Sequence, residues 1–307
     1  MKVEIYDCII IGAGIAGMTA SIYLKRENLN VLILEKEMPG GQLAKSPLVE
    51  NYPGYSKVEG STLALTIYDQ VSTLGVPVEF EEVIEISDED DYKLVKTMDH
   101  TYKTKTILLA TGRSPRKLGI EGEDRLYGRG ISYCATCDGA FYKDKHVAVV
   151  GGGNSASIEA LFLANLCKKV TLIHRKDSLR SEDALKQKLQ EKDNIEIIYN
   201  TSIIKLEEKE HRLAALELSN GENITIDGLF VYIGFVPNIV EIKGLEKLGV
   251  SRGYIVTNDS METNMPNIYA CGDSIQKKIY QLTTAVGEAC IAAEKIKEKI
   301  IINQRSN

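Results

Sequence analysis

YDCIIIGAGIAG, residues 6–17, joins an isoleucine-rich run to three spaced glycines and continues as MTASIYLKREN (18–28). Apolar strand, tight turn and helix in that order make the opening of a βαβ nucleotide-binding unit of about thirty residues. In such a unit Gly12 permits the turn, Gly14 lets backbone N–H groups approach a pyrophosphate, and Gly17 lets the helix pack closely on the strand. The positive end of the helix dipole then faces the phosphates. The next apolar strand, VLIL (31–34), ends in Glu35, at the spacing where an acidic residue bonds adenosine ribose hydroxyls. A plain surface carboxylate at a strand end is the alternative reading of Glu35.

The same grammar recurs later. HVAVV (146–150) runs into GGGNSA (151–156), then helical SIEALFLANLC (157–167) and strand KVTLI (169–173), with Ala156 in place of the third glycine. The chain therefore reads as α/β with two Rossmann-like dinucleotide-binding domains. Where the first unit places Glu35, the second places His174, Arg175 and Lys176, with Arg180 shortly after. A carboxylate suits a bare ribose and repels a 2′-phosphate, and a basic cluster does the reverse. The second site is thus expected to take NADP(H), although a solvated basic loop would look similar. One NADP site beside a second adenine dinucleotide site most simply describes a flavoprotein moving hydride from NADPH to FAD.

Between the fingerprints lies CATCDG (134–139). A structural zinc needs four ligands, yet no second CxxC exists and His100, His146, His174 and His211 are isolated from one another. No metal is expected, and the pair reads as a redox dithiol, with an accidental pair of thiols as the alternative. Cys8, Cys167, Cys271 and Cys290 lie scattered in apolar contexts and read as buried hydrophobes. Asp138 is either a proton donor to the departing thiolate or a helix N-cap.

With 307 residues, 44% hydrophobic and 26% charged, the chain is long enough for about two domains. A net charge of -6 with dispersed Lys and Arg argues against a nucleic-acid partner. MKVEIYD carries Glu4 and Asp7 where an export signal needs positive charge. The most apolar segment, Cys8 to Ala20, is broken by glycines and shorter than the roughly 20 residues that span a bilayer. A cytoplasmic protein with no membrane partner is expected, where a dithiol cycles between oxidation states.

GAGIAG, GGQL (40–43), ENYPG (50–54), ATG (110–112), GRGISYCATCDGAFY (128–142), GGGNSA, HRKDSLR (174–180), CGD (271–273) and QLTTAVGEA (281–289) follow in this order. On these motifs the chain resembles the low-molecular-weight, bacterial-type thioredoxin reductases along nearly its whole length. The resemblance implies two three-layer ββα domains, the second inserted in the first: an FAD domain from 1–114 and 244–307, and an NADPH domain, 115–243, that carries the dithiol. It implies that Gly41, Gln42, Leu43, Asn51, Ala110, Thr111 and Gly112 lie along the FAD. Gly272 and Asp273 then approach its ribityl chain, and Gln281 and Leu282 its isoalloxazine ring. By the same resemblance Gly151, Gly153, Asn154, Ser155 and Ala156 hold NADPH, and Glu159 lies near the nicotinamide. Cys137 faces the flavin, Cys134 attacks the substrate disulfide, and Asp138 is acid and base. Thioredoxin is the implied substrate, a homodimer through the FAD domain the implied assembly, and rotation about 113–116 and 234–238 the implied motion.

Two positions depart from the family pattern. Lys176 stands where many members have a second arginine, which keeps the charge and loses the bidentate fork. Tyr280 stands before Gln281, where an arginine is usual. A tyrosine stacked over the ring would obstruct nicotinamide, which leaves another donor, ferredoxin or NADH, as the alternative for this enzyme. A non-enzymatic flavin redox sensor is the third reading.

Overall fold

The computed structural model describes residues 4–46, 48–239 and 242–305. The chain divides into two compact units, an outer one from Met1–Ser114 and Val236–Asn307 and an inner one, Pro115–Phe235. The return crossing thus comes several residues before the 243/244 boundary read from the sequence. The reason is local pairing. Lys243 donates its N–H to Ile84 O at 3.0 Å and accepts from Ile86 N at 2.8 Å, while Gly244 backs onto the Ile86 carbonyl. Residues 243 and 244 are therefore built into the outer unit.

The outer unit is organised by a seven-stranded sheet in the order Val78–Glu79, Val31–Leu34, Ile5–Ile11, Thr101–Leu109, Tyr92–Lys96, Glu85–Glu89, with Ile268–Ala270 also paired to Thr101–Leu109. Ile5–Ile11 lies parallel to both neighbours, with Ile10 opposite Ile33 and Leu108. Strands covered on both faces need apolar residues at every position. Ile9, Ile10, Ile33 and Leu108 are accordingly all buried. Thr101–Leu109 changes partner along its length: its first half is antiparallel to Tyr92–Lys96 and its second half parallel to Ile268–Ala270. The hairpin 85–96 is thereby joined to the main sheet. The last helix, Leu282–Arg305, packs on helix Ile15–Arg26. It buries Ala285, Ala289, Ala292, Ala293, Ile296 and Ile300, a helical stripe whose alanines permit close approach.

The inner unit has three layers. Its five-stranded sheet runs Ile195–Ile198, Lys169–Ile173, His146–Gly151, Gly228–Tyr232, Ile131–Ser132, parallel throughout. Successive strand residues point to opposite faces. Val147, Val149, Val170, Leu172 and Phe230 join the core under helix Asn154–Ala164, whereas Ala148, Val150, Ile173, Leu229 and Val231 join a second core. That second core is closed by Leu206, Leu213, Leu216 and Leu218 of an antiparallel three-stranded sheet. Each fully buried residue of this size contributes about 1.5–3 kcal/mol.

Both units fasten their own chain ends. In the inner unit Arg116 N–H donates to Gly234 O at 2.9 Å, and in the outer unit Asn238 N–H donates to Gly112 O at 3.1 Å. Among the described residues no helix is long and apolar enough to cross a membrane.

Candidate active site

In the outer unit the first fingerprint forms a cradle. Gly12 has φ +108°, and a methyl group there would meet Ala110 O at 2.4 Å; one on Gly17 would meet Gly12 O at 1.9 Å. Gly14 differs, since a methyl group there meets nothing within 4 Å, and it caps helix Ile15–Arg26 with no side-chain bond to the first turn. Open space at an uncapped helix start fits an anionic group. Glu35 is tied into this loop: Oε2 accepts from Ala13 N–H at 2.7 Å and Oε1 from Glu37 N–H at 2.8 Å. A carboxylate has about four acceptor positions, so Glu35 retains capacity for ribose hydroxyls.

The other outer-unit residues converge on the same end of the sheet. Gly40 N–H donates to Ala13 O at 2.8 Å, Gly41 approaches Gly14, Gln42 Nε2 donates to Arg113 O at 2.5 Å, and Leu43 is buried. Asn51 Nδ2 donates to Gln281 Oε1 at 3.1 Å, which joins two of the expected residues across most of the chain. Ala110 follows strand Thr101–Leu109 beside Gly12, and Gly112 takes φ +65°. Thr111 Oγ1 is buried without a protein partner among the described residues. Such an orphaned hydroxyl fits a site that a polar cofactor completes.

Asp273 is engaged by protein cations. Arg113 Nε lies 3.0 Å and Lys277 Nζ 3.5 Å from its carboxylate. Lys277 also pairs with Glu288 at 2.8 Å, and Glu288 accepts from Gly272 N–H at 3.0 Å. Sequence reasoning missed Arg113, Lys277 and Glu288; the i,i+4 spacing of Asp273 and Lys277 is the one local signal for them. The Tyr280 ring lies 4.4 Å from the Arg113 guanidinium and 5.4 Å from the Tyr254 ring, a cation–π cluster just before Leu282, where the last helix begins.

The second cradle belongs to the inner unit. A methyl group on Gly151 would meet Tyr232 O at 2.5 Å and Ala156 Cβ at 2.6 Å, while Gly153 is open and caps helix Asn154–Ala164 without a side-chain bond. Asn154 and Glu182 bond reciprocally, and Arg180 N–H donates to Gly152 O at 2.7 Å, which brings 180–182 to the glycine loop. Ser155, Arg175, Lys176 and Arg180 are exposed. His174 departs from the expected basic cluster. It is 5% exposed, and its ring fills the space that a side chain on Gly152 would take. Burial, with Arg180 and Arg175 nearby, pushes its pKa below the usual imidazole range, so it braces the loop as a neutral group. The exposed cluster is Arg175, Lys176 and Arg180.

Glu159 lies half-buried on the same helix, and its Oε2 has no protein partner among the described residues. Burial raises its pKa to about 7. A carboxyl whose folded pKa is raised leaves stability intact below the unfolded value of 4.5, costs stability progressively as pH climbs from there to about 7, and costs no more above it. Glu159→Gln is therefore expected to melt with the parent at about pH 4 and to be more stable than it at about pH 8, by about 2 kcal/mol. Melting curves across that range check this, and a pH-independent difference would contradict it.

The dithiol stands at the sheet edge, after strand Ile131–Ser132. Cys134 and Cys137 form a disulfide with Cα atoms 5.3 Å apart around the turn Ala135–Asp138. Cys137 is exposed and Cys134 half-buried. Cys137 N–H points at Cys134 Sγ at 3.2 Å, and Ala135 N–H donates to the Tyr232 hydroxyl at 2.6 Å. Asp138 precedes the turn Gly139–Tyr142 but makes no cap bond to it, so the N-cap reading does not hold. Its carboxylate instead accepts from Ser132 Oγ at 2.6 Å. Glu123, 3% exposed, accepts from Leu118 N–H and Gly119 N–H, each at 2.8 Å, and from the Tyr133 hydroxyl at 2.7 Å. Ser132, Tyr232 and Glu123 escaped sequence reasoning; a hydroxyl two residues before the CxxC is the signal that was available.

The remaining thiols are unlike this pair. Cys8, Cys167 and Cys271 are buried, and Cys290 is only partly so. Burial pushes Cys8 up to about 12 and Cys167 to about 11. Neither supplies thiolate at neutral pH.

Residues 6–289 match the pyridine nucleotide-disulphide oxidoreductase family. The chain is 39% identical over 304 residues to a thioredoxin reductase of Bacillus subtilis, covering 97% of this chain and 95% of that protein. A crystal structure of Lactococcus lactis thioredoxin reductase matches with a TM-score of 0.85 and 38% identity, over 96% of this chain and 99% of that one. A ferredoxin-flavin thioredoxin reductase from Clostridium acetobutylicum matches with a TM-score of 0.55 and 31% identity, over 98% and 99% of the two chains. With two glycine cradles, a linked cysteine pair and kinship along nearly its whole length, the chain belongs to the thioredoxin reductases of the pyridine nucleotide-disulphide oxidoreductase family.

Proposed function

We propose that the protein carries electrons from NADPH through FAD and the Cys134–Cys137 pair to the disulfide of thioredoxin, in the cytoplasm and as a homodimer. The linked cysteines carry this reading, with the Asp138 carboxylate held beside them by Ser132. FAD, when bound, supplies a two-electron store that nicotinamide chemistry fills. The open helix start at Gly14 and the remaining acceptors of Glu35 suit its pyrophosphate and ribose, and Thr111 Oγ1 offers it a buried hydroxyl. Arg175, Lys176 and Arg180 suit a 2′-phosphate, and Glu159 keeps a proton near neutrality at the position expected near the nicotinamide. Once the disulfide opens, the N–H of Cys137 favours thiolate at Cys134, the sulfur that attacks thioredoxin. Asp138 gives and recovers the accompanying proton.

Anaerobic mixing tests the sequence of events. NADPH is expected to bleach the flavin band and the reduced enzyme to open thioredoxin disulfide; bleaching by reduced ferredoxin and not by NADPH would replace the donor. That second reading rests on Tyr280, packed on Arg113 where the family pattern has arginine, and on the likeness to the Clostridium protein. Turnover with either donor rules out a mere sensor. Arg175→Ala with Arg180→Ala is expected to raise KM for NADPH about tenfold or more and leave KM for NADH unchanged, a loss of about 1.4 kcal/mol or more. Steady-state kinetics with both nucleotides measures it, and equal effects on the two would remove the cluster from 2′-phosphate recognition.

A further inference from the structure

Ser132 is 2% exposed and fixed by the parallel sheet, where it pairs with Phe230. Its Oγ lies 2.6 Å from Asp138 Oδ2, 3.0 Å from Cys134 N and 3.2 Å from Cys134 O. A hydroxyl carries one proton and two lone pairs. The Cys134 N–H occupies one lone pair, and the proton has two acceptors in reach. With Asp138 ionised, the proton goes to its carboxylate. When Asp138 takes up a proton, its own O–H donates to the free lone pair of Oγ, and the serine proton turns to the Cys134 carbonyl. Every group stays bonded in either state, and nothing moves but hydrogens.

We propose that Ser132 is a positioning residue that holds the Asp138 carboxyl in one place in both of its protonation states. The inference rests on the reading of Asp138 as the acid and base of the dithiol. Entry of two electrons, which the reductase's donor supplies, breaks the S–S bond. One proton passes from Asp138 to a sulfur, leaving a thiol, a thiolate and a carboxylate. When the pair closes again the two electrons pass to the substrate disulfide, and the proton returns to Asp138. The carboxyl must therefore present the same oxygen for departure and return, and Ser132 is the side chain that bonds it.

Two phenols face Asp138, and Asp227 also acts on one of them, Tyr142. Tyr142, on the following turn, and Tyr232, on a neighbouring strand, both interact with its charge, with Arg212 acting on Tyr142 and Glu159 on Tyr232. Burial raises both phenols, so they stay protonated throughout the range in which carboxyls and thiols titrate.

The test follows iodoacetamide alkylation of Cys134 in the anaerobically reduced holoenzyme from about pH 4 to about pH 9, read on the Cys134 peptide by mass spectrometry. The parent is expected to show two inflections, and Asp138→Asn to lose the lower one. Ser132→Ala should shift that lower inflection to higher pH, because the charge-assisted bond the carboxylate loses is the stronger of the two that Ser132 makes to the carboxyl in its two states. Ser132→Thr, which restores the hydroxyl, should return it to the parental position; a role in packing alone would move neither. A lower inflection unmoved in Ser132→Ala and absent in Asp138→Asn overturns the role of Ser132 and spares that of Asp138. A lower inflection that survives Asp138→Asn, or a parent with one inflection, overturns both.

Discussion

Cys137→Ser is expected to lose protein-disulfide reduction by a factor on the order of a thousand or more, while the outer unit keeps its fold and its flavin. Serine oxygen forms no reversible bond with Cys134 Sγ, so the two-electron store between these residues disappears. No other thiol takes over: Cys8, Cys167 and Cys271 are buried, burial pushes Cys8 and Cys167 up to about 12 and about 11, and the partly buried Cys290 belongs to the last helix of the outer unit, outside the turn that lets Cys134 close a ring. The cradle of Gly12, Gly14, Gly17 and Glu35 lies in the outer unit and shares no residue with the dithiol. Turnover of thioredoxin disulfide, measured beside the absorbance of bound flavin, decides the matter. Parental turnover in the variant would remove Cys137 from the path, and loss of colour would show that the substitution had done more than delete a sulfur.

Glu123→Ala is expected to lower the melting temperature of the inner unit by about 10 °C. The carboxylate collects Leu118 N–H, Gly119 N–H and the Tyr133 hydroxyl. Gly119 is exposed and turns to water, but the half-buried Leu118 N–H and Tyr133 hydroxyl lose their acceptor, at a cost of about 2–4 kcal/mol together. That is a large share of the 5–15 kcal/mol that holds a typical domain. Tyr133 immediately precedes Cys134, and Leu118 follows the entry crossing at Pro115, so one carboxylate ties the incoming chain to the dithiol segment. Glu123→Gln, which keeps one carbonyl oxygen, should fall between parent and alanine variant. Calorimetry reads the shift, and a change of about 1 °C or less in Glu123→Ala would show that water replaces the carboxylate without cost.

The fold was legible where the backbone makes demands that few residues meet. Gly12 and Gly17 face main-chain carbonyls too closely for any Cβ, and such contacts recur at fixed spacing, so the turn can be read from its glycines. The unbroken apolar runs read as strands are the ones whose residues the folded sheet buries on both faces. The two Rossmann-like units followed from those signals alone. Other features depend on partners far along the chain. Lys243 pairs with residues 84 and 86, and nothing near 243 in sequence tells of it. Arg113 meets Asp273, and Gly272 meets Glu288, only after the sheet has assembled. His174 looked like part of a basic run because its burial depends on the missing side chain of Gly152, a void visible only in three dimensions. At the dithiol, CATCDG named the sulfurs and the carboxyl, while neither Ser132 nor Tyr232 was singled out until their hydroxyls were placed.

Strand Ile268–Ala270, which flanks Thr101–Leu109 in the outer unit, lies beyond the whole of the inner one in sequence. A ribosome therefore releases every strand of the inner unit, up to Tyr232, before the last strand of the outer sheet exists. Until then Ile107, Leu108 and Leu109 lack the neighbour that covers their free edge. The half of the protein whose synthesis starts first is thus the half that finishes folding last, and the nascent chain carries an open sheet while its middle is already complete.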